Sequence, residues 1–175
     1  MIRHLTPDDY KTMPWANGKG VTVEMLRVEG PAGVKWRLSR ASVVEAGDFS
    51  IFAGIERNLT VISGPGFDLV GQNLRLTARP LIPVAFSGEV AIQAISVTEP
   101  SDDFNVMTAC SLPLPQVQVV HGARSLMPDG AAKLALFALG NATISGRALS
   151  RYDLLLTDEA VEMTAQDPVI AVHLF

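Results

Sequence analysis

The sequence holds one cysteine, Cys110, in 175 residues. An internal disulfide or a Cys-based zinc site needs more than one, so neither can form within this chain. Histidine is almost as scarce: His4, His121 and His173, with no His-x-His. A closed shell around a transition metal would have to borrow carboxylates from several strands, so no metal and no cofactor are expected. No apolar run approaches the ~18 residues of a membrane span. The opening residues, 1–9, lack the apolar core of a signal peptide. Net charge is −4 and no basic cluster stands out. Nucleic acid, which needs a dense positive stripe, is therefore not an expected partner, and neither is a membrane. A reducing cytoplasm is the expected location.

Hydrophobic residues make up 48% of the chain and charged residues 18%. That excludes a disordered chain, and a chain of this length buries enough surface to need no staples. Period two dominates. Thr6-Pro7-Asp8-Asp9 reads as a helix start, with Thr6 as N-cap, Pro7 at the first helical position and acids in the first turn. Pro14 keeps that helix short. After it the pattern predicts strands over 21–28, 35–44, 58–63, 67–70, 74–78, 90–97, 104–109, 116–121, 133–139, 142–145, 153–157 and 169–174. Turn residues separate them, among them Gly64-Pro65-Gly66, Pro128-Asp129-Gly130 and Asp167-Pro168. Many short strands at such spacing predict a sandwich or barrel. Residues 131–139 read equally as helix or strand. Leu69, Gly71 and Leu74 are echoed 75 residues later by Ile144, Gly146 and Leu149. That echo fits either the sameness of all β-meanders or two copies of one barrel motif.

Four segments could carry chemistry. In Trp15-Ala16-Asn17-Gly18-Lys19-Gly20-Val21-Thr22 the glycines flank a lysine, but a β-branched strand follows where a phosphate loop needs a helix. The segment is either a plain Asn-Gly turn or a loop turning Asn17 to a pocket. In Trp36-Arg37-Leu38-Ser39-Arg40-Ala41, alternation puts Arg37, Ser39 and Ala41 on one face. If Arg37 and Ser39 point inward they need partners: a structural carboxylate or a bound anion. In Gly47-Asp48-Phe49-Ser50-Ile51-Phe52-Ala53-Gly54-Ile55-Glu56-Arg57, the two phenylalanines offer an apolar wall and Arg57 arrives just before the next strand. With Arg37 it could make a fork for a carboxylate. In Asp103-Phe104-Asn105-Val106-Met107, the residues Asp103, Asn105 and Met107 share a face, with Phe104 and Val106 on the core side. Asp103 is a candidate general base or the acid that holds an arginine in place. Cys110 and Ser39 have no histidine beside them in sequence to make a nucleophile.

Taken in order, these segments resemble the HutD/Ves family of bacterial proteins. The resemblance rests on Trp15-x-Asn17-Gly18-x-Gly20-x-Thr22, Trp36-Arg37-x-Ser39-x-Ala41, Gly47-x-Phe49-Ser50-x-Phe52-x-Gly54-x-x-Arg57 and Asp103-Phe104-Asn105-Val106-Met107. It covers nearly the whole chain. It implies a cupin-type β-barrel with two cupin-like halves in one chain. It also implies a link to histidine utilisation, and a role in binding a small intermediate such as urocanate, formiminoglutamate or formylglutamate. Metal-dependent cupins use a His-x-His, a Glu and a later His, a set this chain lacks. It departs from the family pattern at Lys19, often glycine, at Asp48 and Ala53, often proline, and at Thr108-Ala109, often arginines.

The expectation is therefore an all-β, cupin-type double-stranded β-helix. An N-terminal barrel over 1–110 would carry the pocket, and a C-terminal half over 111–175 would be packed core, strands being free to swap across the boundary. Candidate ligand-binding residues are Trp15, Asn17, Arg37, Ser39, Phe49, Phe52, Arg57, Asp103, Asn105 and Met107. Their arginines, amides and hydroxyl suit a small carboxylate metabolite, and the resemblance implies that its binder is a non-catalytic regulatory protein. The alternative is a metal-free isomerase or lyase with Asp103 as base and an arginine stabilising an enolate-like charge. A third reading is a structural protein whose barrel is filled. A homodimer is left open.

Overall fold

The computed structural model describes residues 1–15, 18, 20–130 and 132–175. Among them are seventeen strands, one 3-10 turn and no α-helix. The chain forms two compact units, one from Met1–Tyr10 with Leu114–Phe175, the other from Lys11–Pro113. The first unit opens with β1 (Arg3–Leu5) and a 3-10 turn at Pro7–Asp9. The second unit runs β2 (Lys11–Pro14), β3 (Val21–Gly30), β4 (Gly33–Val43), β5 (Gly47–Asp48), β6 (Ile55–Ser63) and β7 (Phe67–Gly71). It continues with β8 (Leu74–Ala78), β9 (Val84–Ser87), β10 (Ile92–Ile95) and β11 (Ser101–Ala109). The chain then completes the first unit with β12 (Gln116–Leu126), β13 (Lys133–Ala138), β14 (Ala142–Ile144), β15 (Arg147–Leu149), β16 (Leu154–Thr157) and β17 (Val161–Leu174).

In the Lys11–Pro113 unit one sheet runs β2-β3-β4-β11-β6-β9 and the other β5-β10-β7-β8. Leu59, Val61, Phe67, Leu69, Phe86, Ile92 and Ala94 form its core. In the other unit β13 lies between β16 and β17, and β17 also pairs β12 and β14. Its core is Leu134, Leu136, Ile144, Leu155, Met163, Val169 and their neighbours. The two units share a pairing order. β6 sits between β11 and β9 as β13 sits between β17 and β16. β7 sits between β10 and β8 as β14 sits between β17 and β15. The echo at 75 residues falls on the matching hairpins, β7–β8 and β14–β15.

The structure revises some expectations and resolves the ambiguity over 131–139. Residues 1–10 do not belong with the N-terminal unit: β1 pairs β16 in register Arg3↔Leu156 to Leu5↔Leu154. His4 bonds Asp153 at 2.9 Å, and the Tyr10 hydroxyl donates to the Tyr152 carbonyl at 2.6 Å. Segment 131–139 contains a strand, β13, of which Leu134 to Ala138 are fully buried. A strand covered on both faces has no alternation, which is why its sequence reads equally as helix. Asp167-Pro168 is no chain reversal. It lies inside β17, at the register irregularity facing Val120 and Gly122. Proline cannot donate to a ladder and is tolerated where the ladder is interrupted. The short strands β1, β2, β5, β9 and β15 also escaped the pattern, being too brief to show a period. The expected helix at Thr6 is the single 3-10 turn, with the Asp9 carboxylate accepting from the Thr6 N–H at 2.8 Å.

Gly66 closes the turn into β7 at φ +88°, donating its N–H to Ser101 Oγ at 2.9 Å. A Cβ there would lie 2.0 Å from the Ala78 carbonyl oxygen. Gly66→Ala combines a left-handed backbone, costing about 1–2 kcal/mol, with a contact that forces the β7–β8 hairpin to move. Urea denaturation should show a loss of at least ~2 kcal/mol, and a loss under ~0.5 kcal/mol would refute this account of the turn.

Candidate functional site

β11 is the strand around which the site is built. On one of its faces Phe104 and Val106 are fully buried. On the other stand Asp103, Asn105 and Met107, each flanked by a residue of β4 and one of β6 in register. Met107 lies between Arg37 and Arg57, Asn105 between Ser39 and Leu59, Asp103 between Ala41 and Val61. β3 extends two of the rows, Glu24 opposite Ser39 and Thr22 opposite Ala41. β9 extends the third, Phe86 opposite Arg57. This face forms the floor of a cavity of about 500 Å³.

Arg57 is only 7% exposed. Its Nη2 donates to Asn105 Oδ1 at 3.0 Å and its Nη1 to the Ser50 carbonyl at 3.4 Å. Its Nε is buried with no partner among the described residues. Three rings surround the guanidinium: Phe49 and Phe52 at 5.3 Å, Phe86 at 5.1 Å. Arginine faces stack on aromatic rings, so the cage holds the plane of the group. The loop that supplies Phe49, Ser50 and Phe52 is itself anchored, Phe49 N–H to the Ile92 carbonyl at 2.9 Å and Phe52 N–H to the Gly88 carbonyl at 2.7 Å.

Arg37 is held differently. Its Nε donates to Glu24 Oε2 at 2.6 Å, and its Nη1 lies 3.9 Å from Met107 Sδ. Trp15 contributes a wall, its indole N–H donating to Thr22 Oγ1 at 2.9 Å. Gly20 gives the ring room, because a Cβ there would lie 2.9 Å from it and force it to shift.

Nine of the ten expected residues thus line one cavity: Trp15, Arg37, Ser39, Phe49, Phe52, Arg57, Asp103, Asn105 and Met107. Asn17 lies outside the described residues. The expected grip of Asp103 on an arginine is not found. Asp103 instead accepts a hydrogen bond from the Asn105 amide, because Asn105 occupies the row between it and the arginines. Sequence reasoning also missed Glu24, which pairs with Arg37. The alternation of β3 carried that signal, since it puts Thr22 and Glu24 on one face. Ser50 was quoted within its segment, but its part is played by a backbone carbonyl, which no side-chain pattern reveals. The three histidines all lie in the other unit.

The family model described as HutD matches residues 7–171. The chain belongs to the HutD family. Over 162 residues it is 36% identical to a Pseudomonas putida protein described as an uncharacterized 21.2 kDa protein in the hutC 3′ region, covering 87% of this chain and 83% of that one. It superposes on HutD from Pseudomonas fluorescens SBW25, solved in a formate condition, with TM-score 0.88 at 30% identity over 99% of this chain and 97% of the other. A Cupin 2 conserved barrel domain protein from Leptotrichia buccalis superposes at TM-score 0.59 with 8% identity, over 99% and 96% of the two chains. That likeness is one of fold, and the HutD-family fold is cupin-like and all-β.

In this HutD-family cavity, burial governs the charges. It pushes Asp103 up from the ordinary 3.8 to about 7, with Arg57 and the Asn105 amide pulling back and Asp102 adding to the rise. It lowers Arg57 to about 10, opposed by Asp103 and reinforced by Arg37. The folded protein therefore keeps the Asp103 proton to about pH 7, while the unfolded chain releases it near pH 4. The stability this group contributes is complete below that lower value and is lost as pH rises towards 7. A rise of about three units corresponds to something on the order of 4 kcal/mol. Denaturation of native protein and Asp103→Asn, across roughly pH 4 to 7.5, should show the native form losing that amount relative to the variant. Parallel curves would refute the burial of a titrating carboxyl here.

Proposed function

We propose that this HutD-family protein binds a small carboxylate metabolite, an intermediate of histidine degradation, and acts as a non-catalytic regulatory protein of the cytoplasm. One observation carries the reading: two guanidinium groups stand in one cavity, and among the described residues only Arg37 has a carboxylate hydrogen-bonded to it. A buried arginine held by neutral partners alone favours an anion. The volume lies within the range of small-molecule sites, and the Phe49, Phe52 and Trp15 wall suits an apolar or planar body between polar ends. The relative in the hutC 3′ region supports the histidine connection.

The shared pairing order of the two units supports reading the chain as two cupin-like halves. Their interiors then divide the work. The described cavity with its charged floor lies in the Lys11–Pro113 half, and an apolar core fills the other.

A thermal-shift and calorimetric panel of urocanate, formiminoglutamate and formylglutamate tests the proposal. At least one should bind. Arg37→Lys and Arg57→Lys should each weaken it by roughly ten- to hundred-fold, since lysine lacks the planar fork and a charge-assisted bond is worth about 1.5–3 kcal/mol. Both variants should stay folded. Unchanged affinity in both would remove the arginines from the site. Turnover of any of the three would favour the enzyme reading, with Asp103 as general acid or base.

A further inference from the structure

The charges of the cavity floor do not balance symmetrically. Arg37 on β4 has its own counter-ion, Glu24 on β3, at 2.6 Å. Arg57 on β6 has no carboxylate hydrogen-bonded to it among the described residues. The buried carboxyl on the same floor is Asp103, separated from Arg57 by the Asn105 amide, which accepts from one and donates to the other. Asp103 is 1% exposed, and only one of its oxygens carries a hydrogen bond from the described residues. Asp102, its neighbour on β11, is engaged by Ser42 and Ser63. Asp48 of β5 lines the cavity but is exposed and accepts from Gln93 at 2.6 Å. When Asp103 is ionised, it offsets Arg57 as Glu24 offsets Arg37, and the floor is neutral. A carboxylate entering then would place a second anion beside a buried one.

We propose, resting on the carboxylate-binding reading above, that the ligand carboxylate replaces Asp103 as the counter-charge of Arg57, and that Asp103 takes up one proton from solvent as the ligand enters. Asp103 is then the residue that sets the cavity's selectivity for anions. Its proton sits on the oxygen that Asn105 does not engage, where a neutral carboxylic acid can donate to the bound carboxylate. The elevated titration of this buried group agrees with that role.

Formate is a suitable probe, since it is the smallest carboxylate and stays ionised throughout the range tested. Sodium formate is titrated against sodium chloride of equal ionic strength, with the Trp15 indole N–H and the Asp103 carboxyl carbon followed by NMR. For the native protein, the formate dissociation constant should rise about tenfold per pH unit above pH 7, the slope for one linked proton. Saturating formate should raise the pH at which the Asp103 carbon titrates. Asp103→Asn should bind formate with little dependence on pH. Should that variant fail to fold, the native carboxyl titration decides alone. Equal native affinity at about pH 5.5 and pH 8.5, or a carboxyl titration unmoved by formate, overturns the proton linkage and leaves the carboxylate-binding reading intact. Absence of formate binding at both values overturns the linkage too. The larger carboxylates of the panel judge the binding reading separately.

Discussion

The Arg57 guanidinium is the constraint on which the site depends. A charge taken out of water costs several kcal/mol unless its surroundings replace the lost hydration. Here the replacement is assembled from three elements. A neutral amide comes from β11, a backbone carbonyl from the Phe49–Gly54 loop, and phenyl faces from that loop and from β9. The carboxyl of Asp103 adds its charge from one row further along the sheet. The arrangement leaves a buried Nε without a described partner. Such a group is costly unless water or a ligand meets it.

That constraint separates two units that otherwise pair their strands alike. In the Lys11–Pro113 unit, the interior faces of β6 and β11 carry Arg57, Leu59, Val61, Asp103 and Asn105. The matching strands of the other unit, β13 and β17, carry Leu134, Leu136, Ala138, Val169 and Ala171. Apolar side chains interdigitate and close the space, as close-packed interiors do. Guanidinium, amide and carboxyl groups cannot collapse on one another in that way, because each must meet a partner of the right polarity at hydrogen-bond distance. The same strand order therefore gives a filled interior in one unit and a polar-floored cavity in the other.

The faces of β4 and β11 were legible in the sequence because both strands are long and alternate without interruption. Arg37, Ser39, Asp103, Asn105 and Met107 follow from period two alone, and the register then sets them side by side. The partners were less legible. The alternation of β3 puts Glu24 on one face with Thr22, but its place opposite Ser39 is set by the pairing of β3 with β4, which local pattern does not encode. The pairing of β1 with β16 joins residues about 150 positions apart, and no local propensity announces a contact of that range. The all-buried β13 hid its type for the opposite reason, since a strand covered on both sides has no polar phase to read.

The position of Asn105 explains why the site remains able to respond to an anion. Had the carboxyl stood one row nearer, at the Asn105 position that bonds Arg57, the two could form a direct pair. Such a pair in a buried site is short, strong and self-satisfied, and it would leave an entering carboxylate no charge to answer. The intervening amide spans one pleat of the strand. It bonds both groups without neutralising either, so Arg57 keeps much of its charge and Asp103 keeps a carboxyl poised between its two forms. The Arg37–Glu24 pair shows the contrast within the same cavity, because there the ion pair is direct. One guanidinium thus meets a direct counter-ion through its Nε, and the other is left without one by the interposition of a single neutral side chain.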